Sequence, residues 1–370
     1  MDAFVTTDYP EISKKEIKEL IKKESKIYEN LCFVKDISER DLTKLCYEMQ
    51  SIKKVCLSIF NCSSKNLENN IRDLKIDKKM LKEISSFEVR SESHSELFTS
   101  SKLNTFIGLE IQKNTNLDVD LNSPNLTFYV VLGKELFIGI DVVGFDLSKR
   151  PYKISNQSDS INSSFAYSLL RIAGIKKNSV VIDPFSGSGT IPIECTLFQS
   201  NISAFKFENK FNGFKIPFLK KYFMDEENFQ KEKEVHTQGK VYAYDHLLKH
   251  VLGIQKNAKL AGVEKIMTMS KISIDWVDSK LDENSIDFII TDPPKYTVKL
   301  DNLKDITKIY DELFYQAQYV LKKTGKIAIL VLEENVLLGE AKKHKFELVE
   351  LVELKRGEMN YKFLIFKKGV

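Results

Sequence analysis

Short apolar runs alternate with amphipathic stretches throughout the second half of the chain. The runs predict strands over 179–183, 240–244, 270–274, 286–291, 325–332, 346–353 and 361–367, with helical periodicity between them. A helix is expected from Ser160 through Ala173, ahead of the first of these strands. Strand alternating with helix in this way predicts a doubly wound α/β sheet. The first half is patterned differently. Phe4-Val5 reads as a strand, and Ser13 with Glu16 three residues on reads as a capping box opening a helix. Ile17, Leu20, Ile21 and Ile27 then share one helical face, with lysines opposite. Val55 to Phe60 and Phe87 to Arg90 read as strands, and Leu103 to Ile111 as an amphipathic helix. Leu126–Val131 and Leu136–Asp141 pair as a hairpin across Gly133-Lys134. Residues 143–156 read as a linker between the halves.

Composition narrows the setting. A chain of 370 residues exceeds one ordinary core and implies two or three domains. The basic residues are nearly all lysine, with six arginines, and a lysine-rich surface can track phosphates without bidentate geometry. A compositional bias toward lysine and isoleucine gives the same numbers, so charge alone does not identify a nucleic-acid partner. Five cysteines form no C-x-x-C pair, which argues against a disulfide framework and a zinc site and for a reducing compartment. The N-terminus lacks a basic segment followed by an apolar core, and no apolar run is long enough to span a bilayer. A cytoplasmic, membrane-free protein, monomeric by default, is expected.

The chemistry is concentrated in two motifs. Val180-Val181-Ile182-Asp183 is an apolar strand ending in a carboxylate, and Pro184-Phe185-Ser186-Gly187-Ser188-Gly189-Thr190 is a glycine turn opening a helix. Glycine there lets backbone approach a ligand, because no Cβ intervenes. The second motif, Ile289-Ile290-Thr291-Asp292-Pro293-Pro294-Lys295-Tyr296, ends another apolar strand in Asp-Pro-Pro. A nicotinamide-type G-x-G-x-x-G requires glycine at Pro192, and a hydrolase elbow requires it at Ser186. No lysine follows Gly189, so a P-loop is excluded as well. Together the two motifs resemble motifs I and IV of the S-adenosylmethionine-dependent amino-methyltransferases.

That resemblance implies a class I, Rossmann-like, seven-stranded methyltransferase domain over 157–370, with a Lys/Phe-rich insertion near 205–239. It implies S-adenosylmethionine as cofactor. Asp183, Gly187, Gly189 and Thr190 would meet its methionine end. Asp245, closing the strand Val241–Asp245, would hold the ribose hydroxyls, and Asp275 after Ile272-Ser273-Ile274 the adenine amine. Carboxylates at strand ends also serve as helix caps, the bland alternative for both. His246 and His250 are four apart on a helix, but no third ligand accompanies them and no metal is expected.

An exocyclic amine is a poor nucleophile, because its lone pair is delocalised into the ring. Asp292 and the carbonyl of Pro293 can accept its N–H hydrogens and align the nitrogen, and two prolines hold the turn in one shape. The family's usual aromatic directly after Pro-Pro is Lys295 here, with Tyr296 one place later as the expected stacking partner. Lysine after Pro-Pro also resembles some cytosine-C5 RNA methyltransferases, but no cysteine follows Cys195 to serve as their nucleophile. In the insertion, Phe205, Phe207, Phe211, Phe214, Phe218, Tyr222 and Phe223 interleave with lysines. They can stack bases or simply form a small core.

Residues 1–142 resemble the ferredoxin-like plus THUMP region of RNA-modifying enzymes, through Phe87-Glu88-Val89-Arg90, His94, Phe98-Thr99-Ser100 and the hairpin. That resemblance implies that this region grips the 3′ end of tRNA. With Arg150-Pro151-Tyr152 and Ser188 to Glu194, the whole is similar to the THUMP-containing tRNA guanine-N2-methyltransferases, most of all the archaeal enzymes acting on guanosine 6 of the acceptor stem. Enzymes acting on guanosine 10 share Thr-Asp-Pro-Pro, and adenine-N6-methyltransferases share Asp-Pro-Pro. A non-catalytic RNA-binding protein with a degenerate methyltransferase fold would accommodate Lys295.

Overall fold

The computed structural model describes residues 1–93, 98–157, 160–295, 303–356 and 359–369. They fall into two compact units, Met1–Ser148 with Phe205–Lys233, and Lys149–Ala204 with Glu234–Val370.

The first unit is built on one eight-stranded sheet. Its elements are β1 (Ala3–Thr6), α1 (Pro10–Ile21), β2 (Ser25–Tyr28), β3 (Leu31–Val34), α2 (Glu39–Glu48), β4 (Lys54–Ser63) and α3 (Leu67–Asn70). There follow β5 (Ser86–Ser93), α4 (Ser100–Thr115), β6 (Asp118–Val119), β7 (Leu126–Leu132) and β8 (Glu135–Asp141). The strand order β2-β3-β1-β4 is that of a ferredoxin-like βαββαβ module. The sheet then runs on through β8-β7-β5-β6, because β4 pairs with β1 on one side and β8 on the other. The hairpin forms as expected, with Leu132 opposite Leu136.

The capping box expected at Ser13 and Glu16 is not formed. Pro10, whose fixed φ suits a first helical position, starts α1 early, so that Tyr9 rather than Ser13 is the N-cap. Ser13 and Glu16 are buried instead: Ser13 Oγ bonds Thr7 and Ser51 hydroxyls, and Glu16 accepts from the amides of Gln50 and Ser51 and from Ser51 Oγ. The cap chemistry thus ties α1 to the loop before β4. A true capping box occurs at Ser38 and Asp41, opening α2. Ile27, expected on the α1 face, lies in β2.

The second unit begins with α5 (Ser163–Ala173), β9 (Val180–Asp183) and α6 (Thr190–Ser200). The next helix, α7 (Pro217–Glu232), belongs to the first unit. The second unit resumes with β10 (Lys240–Asp245), α8 (Leu248–Leu260), β11 (Thr268–Lys271) and β12 (Ile286–Thr291). It closes with α9 (Leu303–Val320), β13 (Leu321–Val331), α10 (Asn335–Lys343), β14 (Phe346–Arg356) and β15 (Met359–Lys368). Sheet order is β11-β10-β9-β12-β13-β15-β14, parallel except for β15, which runs antiparallel to β13 and β14. The order reverses between β9 and β12, and ligands of such sheets bind outside the carboxyl ends of the strands at that point.

Two organisational expectations change. The aromatic insertion is a core, and it packs with the first unit: Phe205, Phe211 and Phe223 are buried, with Phe211 ring centroids 4.7 Å from Tyr47 of α2 and 5.3 Å from Phe145. Burying those rings removes them from any base-stacking role, although Phe207 remains 64% exposed. Residues 149–156 are no free linker either. The Arg150 guanidinium bonds Glu194 of α6 through Nε at 3.0 Å and Nη2 at 3.1 Å, and Tyr152 OH reaches the same carboxylate at 2.6 Å. This pair is fully buried, so it anchors the entry to the second unit against α6.

Candidate active site

At the end of β9, Asp183 is buried and bonds across the strand-order reversal. Its Oδ1 accepts the Thr291 hydroxyl from the end of β12 at 2.6 Å and the Phe185 amide at 3.1 Å. Burial pushes its carboxyl up to about 7, with the Asp245 charge adding and both hydrogen bonds opposing. The chain then turns on two residues in the left-handed region, Gly187 at φ +53° and Gly189 at φ +81°. Ser186 N–H donates to the Tyr244 carbonyl at 3.0 Å, and Gly187 N–H to Asp245 Oδ2 at 3.0 Å. Those bonds fasten the turn to the end of β10.

The two glycines have different jobs. Gly187 lines the cleft together with Asp183, Ser186, Ser188, Thr190 and Asp292. Gly189 does not line it. It caps α6, and a Cβ there would meet Ile254 Cγ2 of α8 at 2.8 Å, so its missing side chain serves helix packing. Gln157 and Ser160, not anticipated from the sequence, also border the cleft. Ser160 Oγ lies 2.8 Å from Ser188 Oγ, and Asn257 of α8 donates to the Ser188 carbonyl at 2.9 Å.

Asp245 closes β10 as expected. Besides the Gly187 amide it accepts Leu247 N–H at 2.9 Å and faces His250 Nδ1 at 3.0 Å, with His246 Nδ1 at 3.6 Å. The two histidines therefore attend a carboxylate. Among the described residues the cluster with metal-ligand spacing is elsewhere, at Asp311, Glu340 and His344, and the Lys343 ammonium already bonds both carboxylates there.

The sequence pattern puts Asp275 at a strand end, and the structure does not. β11 stops at Lys271, and Asp275 sits in a short 3₁₀ turn, Ile274–Trp276, with Ser273 Oγ donating to it at 2.7 Å. It nevertheless lines a second cleft with Phe185, His246, Ile274, Pro294 and Ile309. Phe185 borders both clefts, a role its place beside the glycines could have suggested.

Motif IV follows β12. Asp292 reaches the first cleft, Pro293 is buried and Pro294 faces the second cleft. At the position where the family carries an aromatic, the Lys295 ammonium forms an ion pair with Asp292 and lies 5.3 Å from the centroid of the Tyr361 ring of β15. Tyr296, expected to stack on the base, lies outside the described residues, as does His94.

A glycine turn, a strand-two carboxylate and an Asp-Pro-Pro turn at the strand-order reversal of a seven-stranded sheet define a class I S-adenosylmethionine-dependent methyltransferase. Comparison with known proteins agrees. The family described as "RMKL-like, methyltransferase domain" matches residues 150–362, and the THUMP domain matches residues 65–141. The chain belongs to the RMKL-like methyltransferase family and carries a THUMP domain ahead of the catalytic one. It is 31% identical over 280 residues to a tRNA (guanine(6)-N2)-methyltransferase of Methanocaldococcus jannaschii, covering 73% of this chain and 72% of that one. It is 26% identical over 240 residues to a human U6 snRNA (guanine-N(2))-methyltransferase, covering 64% of this chain and 38% of the relative. In fold it is similar to a possible methylase from Clostridium difficile, with a TM-score of 0.81 at 20% identity, covering 100% of this chain and 98% of the other.

The residues present fit the cofactor. Gly187 leaves the cleft wall without a Cβ, Asp183 and Asp245 offer carboxylates on either side of the turn, and Asp275 waits in the adjoining apolar cleft. When bound, S-adenosylmethionine supplies an electrophilic methyl group on a sulfonium.

Proposed function

We propose that the chain methylates the exocyclic N2 amine of a guanosine in tRNA, at position 6 of the acceptor stem, with the THUMP-containing unit gripping the RNA near its 3′ end. The observation that carries this is the convergence of Asp292 with Asp183, Gly187 and Thr190 on one cleft. Cofactor and base acceptor then meet at the same place. Asp183, Gly187 and Thr190 would hold the methionine end of the cofactor, Asp245 the ribose hydroxyls and Asp275 the adenine amine.

Asp292 accepts one N–H of the target amine and the Pro293 carbonyl accepts the other, which aims the nitrogen lone pair at the methyl group. As the amine accepts the methyl group that the sulfonium would give up, Asp292 would take the surplus proton, directly or through water. Proximity and alignment supply most of the acceleration, since the carboxylate needs little basicity for this step. Lys295 holds Asp292 before the base arrives, so the ammonium must share or yield that oxygen.

The M. jannaschii relative's name supports guanosine 6, and the human relative's name supports guanine N2 on a different RNA. The free cysteines Cys32, Cys46, Cys56, Cys62 and Cys195 fit action in a reducing cytoplasm. Among the described residues no helix is long and apolar enough to cross a membrane. Incubating unmodified tRNA and U6 snRNA transcripts with labelled cofactor tests the assignment. N2-methylguanosine in tRNA, lost when guanosine 6 is replaced, is expected; label in adenosine, at guanosine 10 or in the snRNA alone would overturn it.

A further inference from the structure

The carboxylate assigned above to the cofactor ribose is gripped from behind by a histidine. Asp245 Oδ1 receives Leu247 N–H at 2.9 Å and His250 Nδ1 at 3.0 Å, while Oδ2 receives Gly187 N–H at 3.0 Å. An ionised carboxylate offers only lone pairs, so Nδ1 is the nitrogen that carries the proton. His250 stands in the first turn of α8 with its side chain 18% exposed, whereas His246 is 57% exposed and 3.6 Å away. His250 is therefore the side chain that fixes the carboxylate.

Two carboxylate oxygens accept about four hydrogen bonds. Leu247 and His250 together occupy Oδ1, and the single amide on Oδ2 leaves that oxygen room for one more donor. We propose that His250 is a positioning residue for the cofactor: by holding Oδ1 it presents Oδ2, beside the glycine turn, to a ribose hydroxyl. This rests on the assignment of Asp245 to the ribose. Without the imidazole the carboxylate keeps two backbone amides as its hydrogen-bond donors, with the exposed His246 at 3.6 Å, and can rotate away from that orientation. Outer-shell partners that orient a ligating group in metal sites change affinity by about 10–100-fold, and an effect at the lower end of that range is expected here.

The probe is S-adenosylhomocysteine, titrated calorimetrically into the full chain. His250→Leu should weaken binding about tenfold, the size of one hydrogen bond to a charged group. His250→Asn, which can place an N–H near the position of Nδ1, should retain most of the affinity, whereas His250→Gln, whose donor sits at the position of Nε2, should not. A cofactor analogue lacking the ribose hydroxyls should bind wild type and His250→Leu alike, a distinction that a merely structural role would not produce. His250→Leu added to Asp245→Ala should cost nothing further. Should His250→Leu fail to fold by circular dichroism, the Asn and Gln pair still decides. Wild-type affinity in His250→Gln, or equal losses with both ligands, would overturn the proposal. Wild-type affinity in Asp245→Ala would instead remove the ribose assignment, so the two failures are distinguishable.

Discussion

Asp183 ties the end of β9 to the end of β12 beside the cleft, and its protonation reports on that position. Its carboxyl is raised from the ordinary range to about 7, chiefly by burial. Folding therefore favours the protonated form. The stabilisation is complete below about pH 4, near the unfolded value, and is lost as pH rises through about 7. Asp183→Asn cannot ionise, so in ligand-free protein its melting temperature should gain on wild type between pH 5 and pH 8; a constant difference would show that Asp183 stays charged throughout. Gly187 gives a second prediction at this scale. Its φ is +53°, and a side chain there would bring its Cβ to 3.2 Å from the Gln157 amide oxygen. Gly187→Val should therefore abolish cofactor binding by calorimetry while far-UV circular dichroism is unchanged. Unaltered affinity would free the turn from its assigned role. The residues whose places beside the glycine turn are legible in the sequence are those fixed by strand ends and glycine backbone, namely Asp183, Gly187, Thr190, Asp245 and Asp292. Gly189 has a packing role that its letter does not announce, because a glycine at a ligand and a glycine under a packed helix read alike. His250 and Gln157 give no signal of their own, since nothing in their neighbourhood in the chain marks what they face.

At the scale of elements, β9, β10 and β12 to β15 lie close to their expected places because apolar runs between polar turns mark buried strands. β11 is displaced: Ile272 and Ile274 are buried and apolar, but they belong to the turn after the strand. α1 begins early because Pro10 outweighs a Ser-x-x-Glu pattern whose side chains are needed elsewhere. Helix α6 is held at Glu194 by Arg150 and Tyr152. Glu194→Ala removes the carboxylate facing a buried guanidinium and should cost about 3–5 kcal/mol, measured by urea unfolding of the full chain. A loss under about 1 kcal/mol, the range of an exposed pair, would mean that Arg150 finds another partner.

For the whole molecule, the division between units does not follow the chain. Residues 205–233 leave the second unit's sequence and bury Phe211 and Phe223 with Tyr47 of the first. A fragment of residues 149–370 therefore carries an aromatic surface whose partner has been removed, and it should aggregate. Replacing 205–233 by a short glycine-serine linker in that fragment should restore a monodisperse protein that binds cofactor but methylates tRNA poorly, as size-exclusion chromatography and activity would show. Equal solubility of the two fragments would place the aromatics in a core of their own. Nothing in the order of residues announces this arrangement, because an aromatic run records burial without recording what it is buried against.

The most direct measurement is single-turnover methylation of unmodified tRNA by wild type, Asp292→Asn and Asp292→Ala at saturating cofactor, with the product nucleoside identified. Asn retains one acceptor and should stay partly active. Ala should lose the rate by orders of magnitude, with cofactor affinity nearly unchanged and N2-methylguanosine as the wild-type product. Near-normal turnover by Asp292→Ala would mean that the Asp-Pro-Pro turn is structural and that the chemistry lies elsewhere in the cleft.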